Sequence, residues 1–181
     1  PLMPEASVLV VGLGNRAITP DAVGPDAMQS VLVTRHLRAQ LPEQLGHFRS
    51  VAALTPGVLG TTGVESAELV RAMTDRLRPD AVIVVDALAC AEFDRLGRTV
   101  QLTDTGITPG SGVGNDRAGL DRTTLGVPVA AIGLPTVIDA GSLTDDPRAE
   151  QMFVTPRDID AVVRDAAKLI GYGIDLALHD G

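Results

Sequence analysis

The sequence predicts an α/β fold: a doubly wound, mostly parallel sheet flanked by helices. Apolar runs of strand length alternate with segments of helical period from end to end. The runs are continuous rather than alternating, as in strands buried on both faces. Aromatic residues are only 2% of the 181 and Trp is absent, so the core is built from Val, Leu, Ile and Ala.

"SVLVVG" reads as a short buried strand over residues 7–12, and "PDAMQSVLVTRHLRAQL" as the helix after it, with Pro25 in its first turn. "RSVAAL" is a second strand, followed by the turn-rich "TPGVLGTTG". "VESAELVRAMTDRLRP" is amphipathic through Ala67, Val70, Met73, Thr74 and Leu77, and Pro79 stops it. "DAVIVVDALA" is the clearest strand, with Asp86 where its apolar run ends. "TVQLTD" alternates and suits a sheet edge, while "VPVAAIGLPTVIDA" supplies a further buried strand. A closing helix spans residues 156–178, with Thr155 as its cap.

At 181 residues the chain is one domain. A net charge of −8 argues against nucleic acid as a ligand. A single cysteine, Cys90, forms no intramolecular disulfide and suits a reducing, cytoplasmic setting. No apolar run approaches the ~20 residues of a membrane span.

Residues 12–17, "GLGNRA", formally satisfy a dinucleotide fingerprint. That motif needs a helix opening on the glycines and an acidic residue about 20 positions later. Here Ile18-Thr19-Pro20 intervenes, Pro20 lacks an N–H, and the later stretch reads "LVTRHL". The glycines instead turn the loop across the strand ends and deliver Asp21. In an open α/β sheet, chemistry collects outside the carboxyl ends of the strands. Asp21 and Asp86 both fall there, and this pair is the candidate catalytic centre. Asn15, Asp104 and Asp139 are supporting candidates near the same crevice. The glycine-rich loop 105–115 is long, and its stretch Pro109–Asn115 offers N–H groups for substrate backbone or an oxyanion. Cys90 reads as a packed residue on an Ala-rich helix, and Ser111 lacks the G-x-S-x-G elbow. His36, His47 and His179 do not end strands.

The blocks "VLVVGLGN", "TPDAVGP", "LTPGVLGTTGVES", "VIVVDALA", "DTGITPGSGVGN", "LGVPVAAIGLPTVIDA" and "IGYGIDLALH", in this order, resemble the spore germination protease family. The resemblance implies an endopeptidase that degrades small acid-soluble spore proteins, which are DNA-binding, during germination in the spore core. It implies a fold similar to the hydrogenase maturation proteases, a homotetramer, no cofactor, and a catalytic pair of aspartates at Asp21 and Asp86. The resemblance also implies a zymogen: family members are longer, with an N-terminal region containing a removable pro-segment, and this chain is expected to lack that region. The stretch "SLTDDPRAEQMFVT" is short for the family. Two other readings stay open. One is a metal-dependent, maturation-type peptidase using Asp21, Asp86 and Asp104; the other is a non-catalytic nucleotide-binding module.

Overall fold

Valine and leucine at alternating positions give β1, Ser7–Gly12, two apolar faces, as a strand in the middle of a sheet requires. A computed structural model describes residues 3, 5–110 and 118–179 of the chain. After β1 come a 3-10 turn at Thr19–Asp21 and three short helices, α1 (Val23–Ala27), α2 (Arg35–Gln40) and α3 (Pro42–Leu45). Then follow β2 (Ser50–Leu54), α4 (Leu59–Thr62), α5 (Ser66–Leu77) and β3 (Ala81–Cys90). The second half holds β4 (Gln101–Thr103), α6 (Arg122–Leu125), β5 (Val129–Asp139), β6 (Phe153–Val154) and α7 (Ile159–His179).

The sheet runs β2-β1-β3-β5-β4, and β6 pairs with the far end of β5. The four strands from β2 to β5 are parallel, while β4 and β6 are antiparallel to β5. The chain leaves β1 for β2 on one side and later places β3 on the other. The order therefore reverses between β1 and β3, which is where an open α/β sheet opens a crevice. Alternation divides the core. Val8, Val10 and Val85 pack with α1 and α7 on one face, and Leu9, Val11, Val82 and Val84 pack with α5 and α6 on the other.

Several expectations need correction. The single helix expected over residues 25–41 is broken between Ala27 and Arg35. Thr34 is the cause: its N–H donates to the Val51 carbonyl (3.0 Å), and its hydroxyl accepts from the Val51 N–H (2.9 Å). The Leu32 N–H meanwhile donates to Asp175 Oδ1 on α7 (2.8 Å). These long-range bonds outweigh the local period. β3 does not stop at Asp86 but continues to Cys90, so Cys90 ends a strand and is not on a helix. Asp86 still reaches the crevice because its neighbour β1 ends first: Gly12, the last residue of β1, pairs with Val85. The closing helix begins at Ile159 rather than residue 156, and Thr155 does not cap it, since its hydroxyl donates to the Thr136 carbonyl (2.9 Å).

Candidate active site

Asp21 is delivered by a tightly packed turn. The Leu13 N–H donates to the Val85 carbonyl (2.8 Å), holding the exit of β1 against β3. Gly14 follows at φ +116°, a conformation open to glycine and costly for other residues. A Cβ on Gly14 would lie 2.1 Å from the Asp21 carbonyl oxygen, so only glycine lets the turn close on Asp21. The Asn15 N–H then donates to Asp21 Oδ2 at 2.8 Å. Asn15 contributes this main-chain group, while its side-chain Oδ1 accepts from the Ala17 N–H (3.0 Å) and braces the turn.

This bonding also bears on the nucleotide fingerprint. The N–H groups of Leu13, Asn15, Ala17 and Ile18 all have partners within the fold, and no helix opens until Val23. The arrangement presents a carboxylate where a phosphate would need donors.

Asp86 is only 7% exposed. Its Oδ1 accepts from the Ala87 N–H at 2.9 Å. Burial, and then the negative charge of Asp21, push its pKa up to about 7, against the smaller opposing effect of the Ala87 hydrogen bond. Asp21 and Asp86 line one open cleft of about 580 Å³, a size that accommodates a small ligand or a few residues of an extended chain. Its other walls include Ile18 and Pro20 from the first loop, Thr136 from β5, and Phe153 and Thr155 around β6.

The remaining candidates are dispersed. Asp104 follows β4, which runs antiparallel to β5 with Thr103 opposite Ala131. That direction carries Asp104 to the opposite end of the sheet, where it lines a separate apolar groove between β4, β5 and α7. It does not join Asp21 and Asp86, so the three-carboxylate metal set is not assembled. Among the described residues no group of three His, Cys, Asp or Glu side chains is placed to hold a metal ion. Asp139 ends β5 at the correct end of the sheet but is exposed, and its Oδ1 accepts from the Gly141 N–H (2.9 Å), supporting a turn. His36 and His47 are exposed, and none of the three histidines lines the cleft. Thr108 and Gly110, at the base of the glycine-rich loop, border the cleft. The loop's base is closed by paired hydrogen bonds between Ile107 and Leu120. Ser111 and the rest of the stretch to Asn115 lie outside the described residues. Thr136 is a site residue the sequence reading passed over; its signal is a hydroxyl after a proline in an otherwise apolar strand.

A family model described as germination protease matches residues 2–149. The chain belongs to the germination protease family. A germination protease of Caldanaerobacter subterraneus subsp. tengcongensis is 41% identical across 99% of this chain and 68% of its own length. One from Clostridium tetani is 38% identical across 96% of this chain and 66% of its own. A Geobacillus relative reaches 52% identity over 143 residues, 78% of this chain and 38% of that protein. The chain thus spans about two thirds or less of the length of these germination proteases.

Solved structures agree on the architecture. A NiFe hydrogenase maturation protease, HycI, from Thermococcus kodakarensis superposes with a TM-score of 0.56 over 96% of this chain and 92% of its own, at 18% identity. A 5'-methylthioadenosine nucleosidase from Arabidopsis thaliana gives 0.57 over 99% and 98%, at 12% identity. A peptidase and a nucleosidase on one architecture show that the fold alone does not select the chemistry. Among the described residues no helix is long and apolar enough to cross a membrane.

Proposed function

We propose that this germination protease family chain is an endopeptidase whose catalytic centre is the pair Asp21 and Asp86. The observation that carries the reading is a buried carboxyl, Asp86, facing a cleft that it shares with a second acid; burial first, and then the charge of Asp21, raise its pKa to about 7. Two neighbouring carboxylates do not both ionise cheaply, so the pair holds one proton near neutrality. Burial makes Asp86 the proton holder. Asp21, with the Asn15 N–H aimed at Oδ2, is the ionised partner.

In this scheme Asp21 removes a proton from water as the water oxygen attacks the scissile carbonyl carbon. Asp86 donates its proton to the carbonyl oxygen, giving a neutral tetrahedral diol. The proton held by Asp21 then passes to the amide nitrogen and the C–N bond breaks. Asp86 recovers its proton from a diol hydroxyl as the new carboxyl group forms.

The family and the sequence resemblance support small acid-soluble spore proteins as substrates, in the spore core during germination. The acidic surface is compatible with substrates that themselves bind DNA. The test is cleavage of a purified small acid-soluble spore protein by the wild type and by D21N and D86N. Each variant is expected to stay folded and lose about 10³-fold or more in kcat/KM, since the general acid and base each contribute about 10²–10⁴-fold. A folded D86N chain that still cleaves at the wild-type rate removes the paired-acid scheme.

A further inference from the structure

We propose that Thr136 is a substrate-contacting residue whose hydroxyl hydrogen-bonds the main chain of the peptide lying across the two acids. The proposal rests on the endopeptidase reading above and adds a third polar group to it.

Three observations on β5 carry it. First, the pairing of β3 with β5 skips a residue. Leu88 lies opposite Pro135 and the next residue, Ala89, lies opposite Val137, so Thr136 is an extra residue without a partner on β3. Bulges of this kind are uncommon in parallel pairs, gather beside active sites, and re-aim a side chain. This one sits just beyond Asp86, whose own partner on β5 is Gly133. Second, the bulge is held in place from outside the parallel ladder. The Thr136 carbonyl accepts from the Thr155 hydroxyl at 2.9 Å, and the neighbouring Pro135 carbonyl accepts from the Gly97 N–H at 2.7 Å. Third, Thr136 is only 1% exposed, lines the acid-pair cleft, and among the described residues its hydroxyl makes no hydrogen bond. The hydroxyl is not sealed into the core, where among the described residues the orphaned side-chain atoms are those of His179, so at the wall of the cleft it is available to a ligand.

A hydroxyl both donates and accepts, so it serves either a peptide C=O or a peptide N–H. Every substrate residue has both groups. The contact therefore positions the chain without reading its side chain, and losing it weakens all substrates alike.

The experiment compares the wild type with T136V, which exchanges the hydroxyl for a methyl, and with T136S, which keeps the hydroxyl. Cleavage of two substrates with different residues at the scissile bond is measured alongside the melting temperature. T136V is expected to lower kcat/KM about 10- to 100-fold on both substrates. Its melting temperature should match or exceed that of the wild type, because no internal bond is lost. T136S should return to within about threefold of the wild type, and the pH dependence should be unchanged because the acids are intact. If valine crowds the bulge and lowers the melting temperature, T136A removes the hydroxyl without added bulk and must show the same loss. Wild-type kcat/KM in T136V or T136A overturns the assignment and leaves the acid pair standing. A folded wild type that cleaves nothing, and so matches D86N, overturns the endopeptidase reading and this inference together.

Discussion

The charge of Asp21 raises the pKa of Asp86, although one lies on the loop after β1 and the other on β3. The topology makes this possible. β1 and β3 are adjacent and parallel, β1 ends one residue short of Asp86, and the loop from β1 folds back over the gap.

A pH profile follows directly. If Asp86 must carry a proton to serve as the acid, kcat/KM falls as pH rises through about 7, the value to which burial and Asp21 raise its pKa. The acidic limb belongs to the second member of the pair, so the profile is bell-shaped and its two limbs describe the pair. Steady-state rates on one peptide from pH 4 to 9 check this. A profile still rising above pH 8 assigns the acid role elsewhere.

The same shift predicts a stability effect with a definite sign. Unfolded, Asp86 releases its proton near the ordinary aspartate value of 3.8; folded, it keeps the proton to about 7. Between those values the native state holds more protons than the unfolded state, so stability falls as pH rises through the window. A shift of this size corresponds to an upper bound of ~4 kcal/mol, reached above pH 7. D86N removes the penalty. Urea denaturation should show D86N gaining on the wild type between pH 4 and 8, with little change in their difference below pH 4.

Much of this arrangement is legible in the sequence because it depends on local pattern. The apolar runs of β1, β3 and β5 mark buried strands, and the spacing of Val70 and Thr74 marks the inner face of α5. Asp86, directly after the apolar run of β3, and Asp21, on the loop that the glycines turn back across the end of β1, fall at one crevice by pattern alone, although β3 itself runs on to Cys90. What is not legible depends on partners distant in sequence. Thr34 breaks a helical period by bonding to Val51, and nothing near Thr34 announces that partner. Asp104 looks like a third strand-end acid, but a three-residue strand does not reveal its direction, and antiparallel β4 sends the acid the wrong way. The bulge at Thr136 exists only as a mismatch of register between two strands. Thr155 resembles a helix cap and instead secures that bulge.

Gly14 gives a prediction about delivery rather than chemistry. G14A places a Cβ at φ +116° and 2.1 Å from the Asp21 carbonyl oxygen, so either the turn opens or Asp21 shifts. Backbone strain of this kind costs about 1–3 kcal/mol. Displacing a catalytic group by about 1 Å costs about 100-fold in rate. G14A is therefore expected to lower both the melting temperature and kcat/KM. G60A, where an added Cβ meets nothing within 4 Å, should change neither and serves as the control.

Asp104 separates the two peptidase mechanisms. A metal-dependent reaction drawing on Asp21, Asp86 and Asp104 needs all three carboxylates around one ion. Yet β4 delivers Asp104 to the opposite end of the sheet, against the groove between β5 and α7. D104N is therefore expected to keep kcat/KM within about twofold of the wild type, as befits a substitution away from the catalytic groups. Preincubation with a chelator, followed by dialysis and assay, is expected to leave the rate unchanged, because the paired-acid scheme draws its nucleophile from water and a carboxylate alone. Loss of activity on chelation, restored by a divalent ion in wild type and D104N alike, would reassign Asp21 and Asp86 as ligands without Asp104. Loss restored in the wild type but not in D104N would require β4 to rearrange in the active protein, and pairing of Thr103 with Ala131 is the contact to examine first.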